Sequence, residues 1–495
     1  MSTRRRATER LAKAPDSMTD QPETEPSVTP WSPALRMLTI GALVTIAAGA
    51  FEALAVATVM PRVSDDLGGL QYYGWAFSAF TLANIVGLTI AGSESDRVGP
   101  GRPYLFGIVL FALGIFIAGI APSMLVLIAG RAIQGFGAGL FNSAIYVVVG
   151  RAYPPEAKPR MLALMSSAWV MPGLIGPALA GVIADYAHWR GIFLGLIPFL
   201  VLAAALAYPR IRTVPGTPNP DDRDWRRFGV AVALAVGTTA LFAGLGASSL
   251  IRALPLIVAG GVVAWLAARW LMPEGTLRAA PGLPAAIACM TLLNLGFFGV
   301  DAFLPLALTE IRGRSTAFAG LALTAATISW SAGSWTQAHF SDKLSRRQVI
   351  RTGFALIILG CAGVTMTLFD NVPVVLAPLF WLVAGFGIGL AYSGISLTVL
   401  QTAEPGKEGI ATSSMQIAGV LGFGFGAGVG GAWIAALSDG DQASRSSLLY
   451  QDLMMIGVVV LAIVIARNIP AWPGGKARRE SSEPANEVTV AVPAD

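Results

Sequence analysis

The chain has 495 residues, 54% of them hydrophobic and 13% charged, with a mean hydropathy of +0.64 and a formal net charge of +5. Soluble globular proteins carry about 25% charged residues, so the deficit and the repeated apolar runs of ~20 residues exclude a soluble domain and indicate an all-α polytopic membrane protein. A nucleic-acid binder is excluded too, because the basic residues are spread over short loops and form no single patch.

In chain order, residues 1–33 are polar, and Arg4, Arg5 and Arg6 precede no apolar segment. This stretch reads as a disordered cytoplasmic tail and not as a cleaved signal. Apolar stretches then fall at roughly 36–60, 72–92, 104–121, 123–149, 160–184 and 191–209. A polar stretch with Pro215, Pro218, Asp221 and Asp222 precedes two more, near 228–249 and 253–272. Six further runs lie near 284–308, 316–339, 349–369, 373–400, 409–437 and 448–468. The expected architecture is fourteen spans. A six-helix bundle over 34–212 is followed by a linker with two extra helices over 213–280 and a second six-helix bundle over 281–470. A disordered tail over 471–495 ends the chain.

Short loops with Arg97 and Arg102, Arg151, Lys158 and Arg160, Arg210 and Arg212, and Lys343, Arg346 and Arg347 all fall on one side of such a bundle. Asp65, Asp66, Asp370, Asp439 and Asp441 gather on the other. The bias of Lys and Arg toward the cytoplasm places both termini inside.

The two bundles repeat one another. Arg131-Ala132-Ile133-Gln134-Gly135-Phe136-Gly137-Ala138-Gly139 returns as Trp381-Leu382-Val383-Ala384-Gly385-Phe386-Gly387-Ile388-Gly389. Ser166-Ser167 with Gly173 and Gly176 is echoed by Ser413-Ser414 with Gly419 and Gly422, and Asp96-Arg97 by Asp342-Lys343. Internal repeats of this kind build secondary transporters, with the substrate between the halves. Only the first copy keeps the polar pair Arg131 and Gln134, and a charge at bilayer depth costs a few kcal/mol or more.

The loop after the second span reads Gly92-Ser93-Glu94-Ser95-Asp96-Arg97-Val98-Gly99-Pro100-Gly101-Arg102. It resembles the cytoplasmic signature of the major facilitator superfamily, departing from it where Pro100-Gly101 precedes Arg102. An aspartate there can accept hydrogen bonds from a neighbouring helix N-terminus and lock two bundles together, a gate to which Gly92, Asp96, Arg97, Gly99, Arg102, Asp342 and Arg346 are assigned. A solvated helix cap is the other reading. Arg131, Gln134, Gly135 and Gly137 are similar to the superfamily's fourth-span motif. Gly173, Gly176, Pro177 and Gly181 resemble the fifth-span motif of drug:proton antiporters, although close helix packing alone accounts for such glycines. Glu52, nine residues before Pro61, resembles the acid-to-proline spacing in the first span of the fourteen-span branch, with glutamate where aspartate is usual.

Glu52 and Arg131 lie at matched depth in the first and fourth spans and form a candidate pair. Burial opposes charge on a carboxylate and a guanidinium supports it, so the two effects together suit a group that loads and releases a proton. A purely structural ion pair is the alternative, disfavoured because buried pairs stabilise poorly against apolar packing. Asp301 stands open between a second titratable site and a helix-end residue near the outer surface. Phe141, Asn142, Trp330, Trp335, Trp381 and Tyr392 are candidates for the cavity wall.

The resemblance implies proton-coupled export of hydrophobic or cationic compounds through a bacterial plasma membrane, by a monomer embedded in the bilayer. Alternatives are export of a lipid, siderophore or metabolite, nutrient symport, and a transporter-like sensor or scaffold. Enzyme function is not expected: Cys289 and Cys361 lie in apolar runs, His188 and His339 are far apart, and no phosphate-binding glycine loop occurs. No metal or cofactor is implied, and the proton gradient is the expected energy source.

Overall fold

A computed structural model describes residues 29–68, 73–186, 188–216, 225–245, 249–341, 343–437 and 444–471. Helices account for nearly all of them, because backbone polar groups in lipid must be satisfied within the segment itself. The first half comprises α1 (Arg36–Leu67), α2 (Tyr73–Val98), α3 (Gly101–Gly119), α4 (Met124–Ala152), α5 (Lys158–Ser167), α6 (Val170–Tyr186), α7 (Arg190–Leu194) and α8 (Ile197–Ile211). The helices α9 (Trp225–Leu245) and α10 (Leu250–Leu271) follow. The second half comprises α11 (Leu283–Asp301), α12 (Leu304–Leu306), α13 (Thr316–Phe340), α14 (Arg346–Met366), α15 (Ala377–Thr402), α16 (Glu408–Leu437) and α17 (Arg445–Ile465).

Twelve helical segments among the described residues are long and apolar enough to cross a membrane. The fifth and tenth apolar stretches of the sequence fall outside that set. Thr316–Phe340 is long enough, but its serines, threonines and Gln337 reduce its apolarity. The stretch expected as one helix over 160–184 is broken at Ala168 and Trp169, nine residues before the proline expected to bend it. Pro177 and Gly181 themselves lie within α6.

The two halves pack alike. In the first, α4 lies between α2 and α3 while α1 lies on α6 and α8; in the second, α15 lies between α13 and α14 while α11 lies on α16 and α17. Each half has its own apolar core, one around Phe111, Phe141, Met161 and Phe193, the other around Met290, Phe297, Phe354 and Trp381. The α9–α10 hairpin packs chiefly on itself, and α9 also leans on α2. Across the halves, α2 meets α16 and α5 meets α13 and α15.

Glycines set the closest of these approaches. A β-carbon at Gly135 would collide with the Phe80 carbonyl, and one at Gly139 with that of Asn84. In the second half Gly385 stands in the same relation to Ala326, and Gly389 to Trp330. The glycines recur 250 residues later and their partners 246 residues later, so the repeat seen in sequence is a repeat of contacts. By contrast, a β-carbon at Gly173 would lie 3.4 Å from Thr327 Cγ2, an ordinary contact. Gly135→Ala is therefore expected to destabilise the protein by about 1–3 kcal/mol, the usual range for overpacking, while Gly173→Ala stays near wild type. Thermal unfolding of the two variants in detergent measures the difference, and equal melting temperatures would refute the contact argument.

Candidate functional site

Arg131 is buried at 3% exposure one-quarter of the way along α4, and Glu52 of α1 at 1%. One terminal nitrogen of the guanidinium, Nη1, donates to Glu52 Oε1 and, at 2.8 Å, to Gln134 Oε1. Its Nε donates to the Ala76 carbonyl of α2 at 3.2 Å, and its Cζ lies 4.4 Å from the centroid of the Phe80 ring. Glu52 Oε2 and Gln134 Nε2 are buried without a hydrogen bond. The three residues expected from sequence to act together are thus in contact, with one carboxylate oxygen left over.

A second acid–donor pair stands in the matching place of the other half. Trp381 Nε1 donates to Asp301 Oδ1 at 2.9 Å. Trp381 occupies the repeat position of Arg131, and Asp301 ends α11, the counterpart of α1. Asp301 does end a helix, yet the apolar segment continues to Ile311 through α12 and a π-helical turn over Ala307–Ile311. The sequence offsets are 249 for the acids and 250 for their partners. No basic side chain pairs with Asp301 among the described residues.

Aromatic rings extend from this pair. Phe297 stacks on Trp381 at 4.9 Å and meets Trp330 edge-on at 6.1 Å, while Phe298 meets Trp330 at 6.1 Å and Phe423 at 5.1 Å. Trp330 also lies 5.6 Å from Tyr392, and Tyr146 of α4 packs against the same core as both. The cavity candidates divide accordingly. Trp330 and Tyr392 belong to this aromatic group between the halves. Trp381 is fully buried beneath it, and Phe141 is buried against Phe111 inside the first bundle, so neither lines an open surface in this structure. Asn142 is half-buried on α4.

At the Asp96 end, the halves are tied by a cluster of charge-assisted bonds. Asp96 Oδ1 accepts from Gly409 N at 2.7 Å and Oδ2 from Ile410 N at 2.9 Å, which places the carboxylate at the N-terminus of α16. A carboxylate there satisfies backbone N–H groups that have no partner within the helix. Arg151, from the last turn of α4, donates to Asp96 Oδ1 at 2.7 Å, to Glu408 Oε2 at 2.7 Å, and to the carbonyls of Ser95 and Pro215 at 3.2 and 3.1 Å. Gly92 is needed where α2 meets α16, since a β-carbon there would strike Ser413 and Gly409. Gly99 has φ +85° and packs on the Val214 carbonyl, a backbone shape that disfavours any side chain.

The remaining gate candidates sit apart from this cluster. Arg97 pairs with Glu94 on its own helix at 2.9 Å, Arg102 is exposed at the start of α3, and Arg346 opens α14. Asp342 lies outside the described residues. At the same end, Ser334 of α13 bonds Ser166 at 3.0 Å and Ser393 at 2.9 Å, and Trp335 Nε1 donates to Ser167 Oγ at 2.8 Å. Of the fifth-span glycines, Gly176 faces α1, where an added β-carbon would lie 3.6 Å from Phe51 and 3.9 Å from Leu54.

Three residues of these networks escaped the sequence reading. Arg151 stood only among the loop charges, and Glu408 was not singled out. Asp452 is buried in α17 and accepts from Thr365 Oγ1 at 3.0 Å, one turn from Cys361 on α14. Its position four residues inside the final apolar run, near 448–468, was the available signal.

Comparison with known proteins bears on the family and the fold. The Major Facilitator Superfamily profile matches residues 40–427. A probable multidrug-efflux transporter of Mycobacterium tuberculosis is 25% identical over 82% of this chain and 89% of its own length. Multidrug resistance protein 3 of Bacillus subtilis is 26% identical over 77% and 75%. A multidrug efflux pump of Staphylococcus aureus is 24% identical over 74% and 83%. Among solved structures, a human organic anion transporter superposes with a TM-score of 0.65 at 14% identity, covering 88% of this chain and 99% of its own. The fucose:proton symporter of Escherichia coli gives 0.60 at 14%, covering 88% and 98%. With that profile spanning most of its length and a fold shared with these transporters, the chain belongs to the Major Facilitator Superfamily, a family of membrane transporters and not of enzymes.

Proposed function

We propose that this protein exports hydrophobic or cationic drug-like compounds in exchange for protons, by alternating access, from the cytoplasm of a bacterial cell. The observation that carries this reading is the buried Glu52–Arg131–Gln134 group with its spare carboxylate oxygen. A guanidinium cannot give up its proton in a protein, so the protonation change falls to the carboxylate. Glu52 takes a proton from outside, which weakens its hold on Arg131, and releases it once the site turns inward. The multidrug names of the relatives support the substrate class.

The topology that serves this cycle has fourteen spans with both termini inside. α5 with α6, and α13, supply the fifth and tenth of them, flanking the passage between the halves. The Asp96 end is then cytoplasmic, and its bonds to α16 hold that side shut. Asp301 is the second acid of the mechanism. With the faces of Phe297, Phe298 and Trp330 nearby, it suits a lipophilic cation through charge and cation–π attraction.

In liposomes with an imposed pH gradient, Glu52→Gln is expected to reduce uptake of every transported compound to the leak of protein-free vesicles. Undiminished gradient-driven transport in that variant would remove Glu52 from the coupling. In the same assay Asp301→Asn should lose lipophilic cations by roughly tenfold or more, the scale of one desolvated charge contact, and retain uncharged compounds. Equal loss of both classes would show that Asp301 does not read substrate charge. Asp96→Asn gives up a charge-assisted interaction worth about 1.5–3 kcal/mol. Spin labels at the Asp96 ends of α2 and α16 should then report a longer mean separation, and an unchanged distance distribution would mean that the latch does not hold this end closed.

A further inference from the structure

The exchange cycle leaves one buried acid without a role. Asp452 is 5% exposed and lies seven residues after Arg445, the first residue of α17, or about 10 Å along the axis, at the end of the bundle away from Asp96. Its Oδ2 lies 3.0 Å from the Thr365 hydroxyl of α14, and no basic side chain meets it among the described residues. Beside it, Gln451 Nε2 donates to the Gly299 carbonyl at 2.7 Å, which seats this turn of α17 against the end of α11 that carries Asp301. One turn further out, Leu448 of α17 and Leu368 just past α14 join Ala307 and Ile434 in an apolar cap. The other titratable or charged groups at this end are Asp301 of α11, Cys361 of α14 and Glu310 of the π-helical turn, with Asp370, Arg312 and Arg445 paired at the rim.

The Thr365 hydroxyl decides what this site can hold. It has one hydrogen and two oxygens within reach, the Cys361 carbonyl at 2.8 Å and Asp452 Oδ2 at 3.0 Å. A carbonyl only accepts, and so does an ionised carboxylate. With Asp452 ionised, the two oxygens compete for that hydrogen and one bond is lost. With Asp452 protonated, the acid donates to Thr365 Oγ1 and Thr365 donates to the carbonyl, so both bonds are made. The two states use the same heavy-atom positions. They differ by one proton and the turn of one hydroxyl.

We propose that Asp452 is a second proton-binding site of the exchange, loaded from the outer face and read by α14 through Thr365. The inference rests on the proton-exchange reading and on the orientation given above. The step is a protonation alone. The carboxylate takes a proton from outside water, the new O–H donates to Thr365 Oγ1, and the same proton leaves on the cytoplasmic side once the halves have turned. With one proton on Glu52 and another on Asp452, two positive charges enter for each monovalent cation expelled. One net charge then crosses per cycle, and the membrane potential joins the pH gradient as a driving force. Asp301, on the turn of α11 that Gln451 holds, is left to the substrate.

Infrared difference spectroscopy of the full-length protein in lipid nanodiscs, recorded as pH is changed, reads the proton directly. The expected result is a carboxylic-acid carbonyl band that titrates in wild type and disappears in Asp452→Asn. The band should shift in frequency in Thr365→Val and keep its position in Thr365→Ser. Asparagine at this position offers Thr365 an N–H where the protonated acid offers its O–H, so the fold is kept. In proteoliposomes at equal pH on both faces, a potential of about 100 mV should let wild type gather a lipophilic cation roughly 50-fold on the positive side, the equilibrium set by one net charge and opposite to the passive distribution. Asp452→Asn should hold no such gradient and still exchange the cation against a pH gradient. A band unchanged by Asp452→Asn, or the wild-type response to potential in that variant, would overturn the proposal. If wild type moves no compound, the exchange reading fails and takes the coupling role with it, while the band still decides whether Asp452 binds a proton.

Discussion

A permanent positive charge buried at bilayer depth has to be answered on every side, and Arg131 organises the first half of this protein around that requirement. Its donors are met by Glu52, Gln134 and the Ala76 carbonyl, and its face by the Phe80 ring. Those groups come from α1, α2 and α4, so the three helices must converge at one depth. Convergence with α2 requires that nothing stand between the backbones, and Gly135, one turn beyond Arg131, removes the side chain that would block the Phe80 carbonyl. The glycines of this motif and its arginine are therefore one device. Small residues bring the helices together, and the charge is then solvated by protein in place of water.

The second half keeps the packing and changes the chemistry. Gly385 and Gly389 repeat the close approach of α15 to α13, yet the residue at the position of Arg131 is Trp381, and the acid it serves is Asp301. An indole N–H donates one hydrogen bond and carries no charge. Glu52 therefore has a resident cation and Asp301 has none among the described residues. In the proposed cycle Asp301, half-buried and without a basic partner among the described residues, is the acid left to meet a cationic substrate. The proposed division of labour between a proton and a charged substrate rests on the replacement of Arg131 by Trp381 and of Gln134 by Ala384 in the second half.

Much of this could be read from the chain. The helix-length apolar runs, the duplication, the meeting of Glu52 with Arg131 and the approach of Asp96 to another helix's N-terminus all follow from residues close together or repeated at a steady offset. What escaped was cross-element and irregular. Asp301 and Trp381 did not stand out as the mate of Glu52 and Arg131 because the acid type changes and the basic partner is lost. Arg151 looked like one loop charge among several, since a topology bias does not reveal where a flexible side chain points. The break at Ala168 and Trp169 carries neither proline nor glycine, so local propensity gives no warning of it. Asp452 lay near the start of a span, where an acid is usually a solvated end residue, and only the packing of α14 against α17 buries it.

Coupling between the acid pair and the latch has a simple mechanical basis in two helices. Arg131 and Arg151 are both on α4, twenty residues apart, or about 30 Å along the axis. The groups they meet on α2, Ala76 and Asp96, are also twenty residues apart. Between these contacts the helices touch through Gly87, Gly135 and Gly139, with backbone against backbone and no flexible side chain to absorb a shift. Such a pair moves as a unit, because close-packed interfaces have few alternative arrangements. In the proposed cycle, a change in how Glu52 holds Arg131 would be carried to the far end of the pair, where Asp96 accepts from Gly409 and Ile410 of α16. On that proposal the distance between the Glu52–Arg131 pair and the Asp96 cluster is bridged by stiffness, and Gly135, which helps supply it, also lets α2 come close enough to meet the buried arginine.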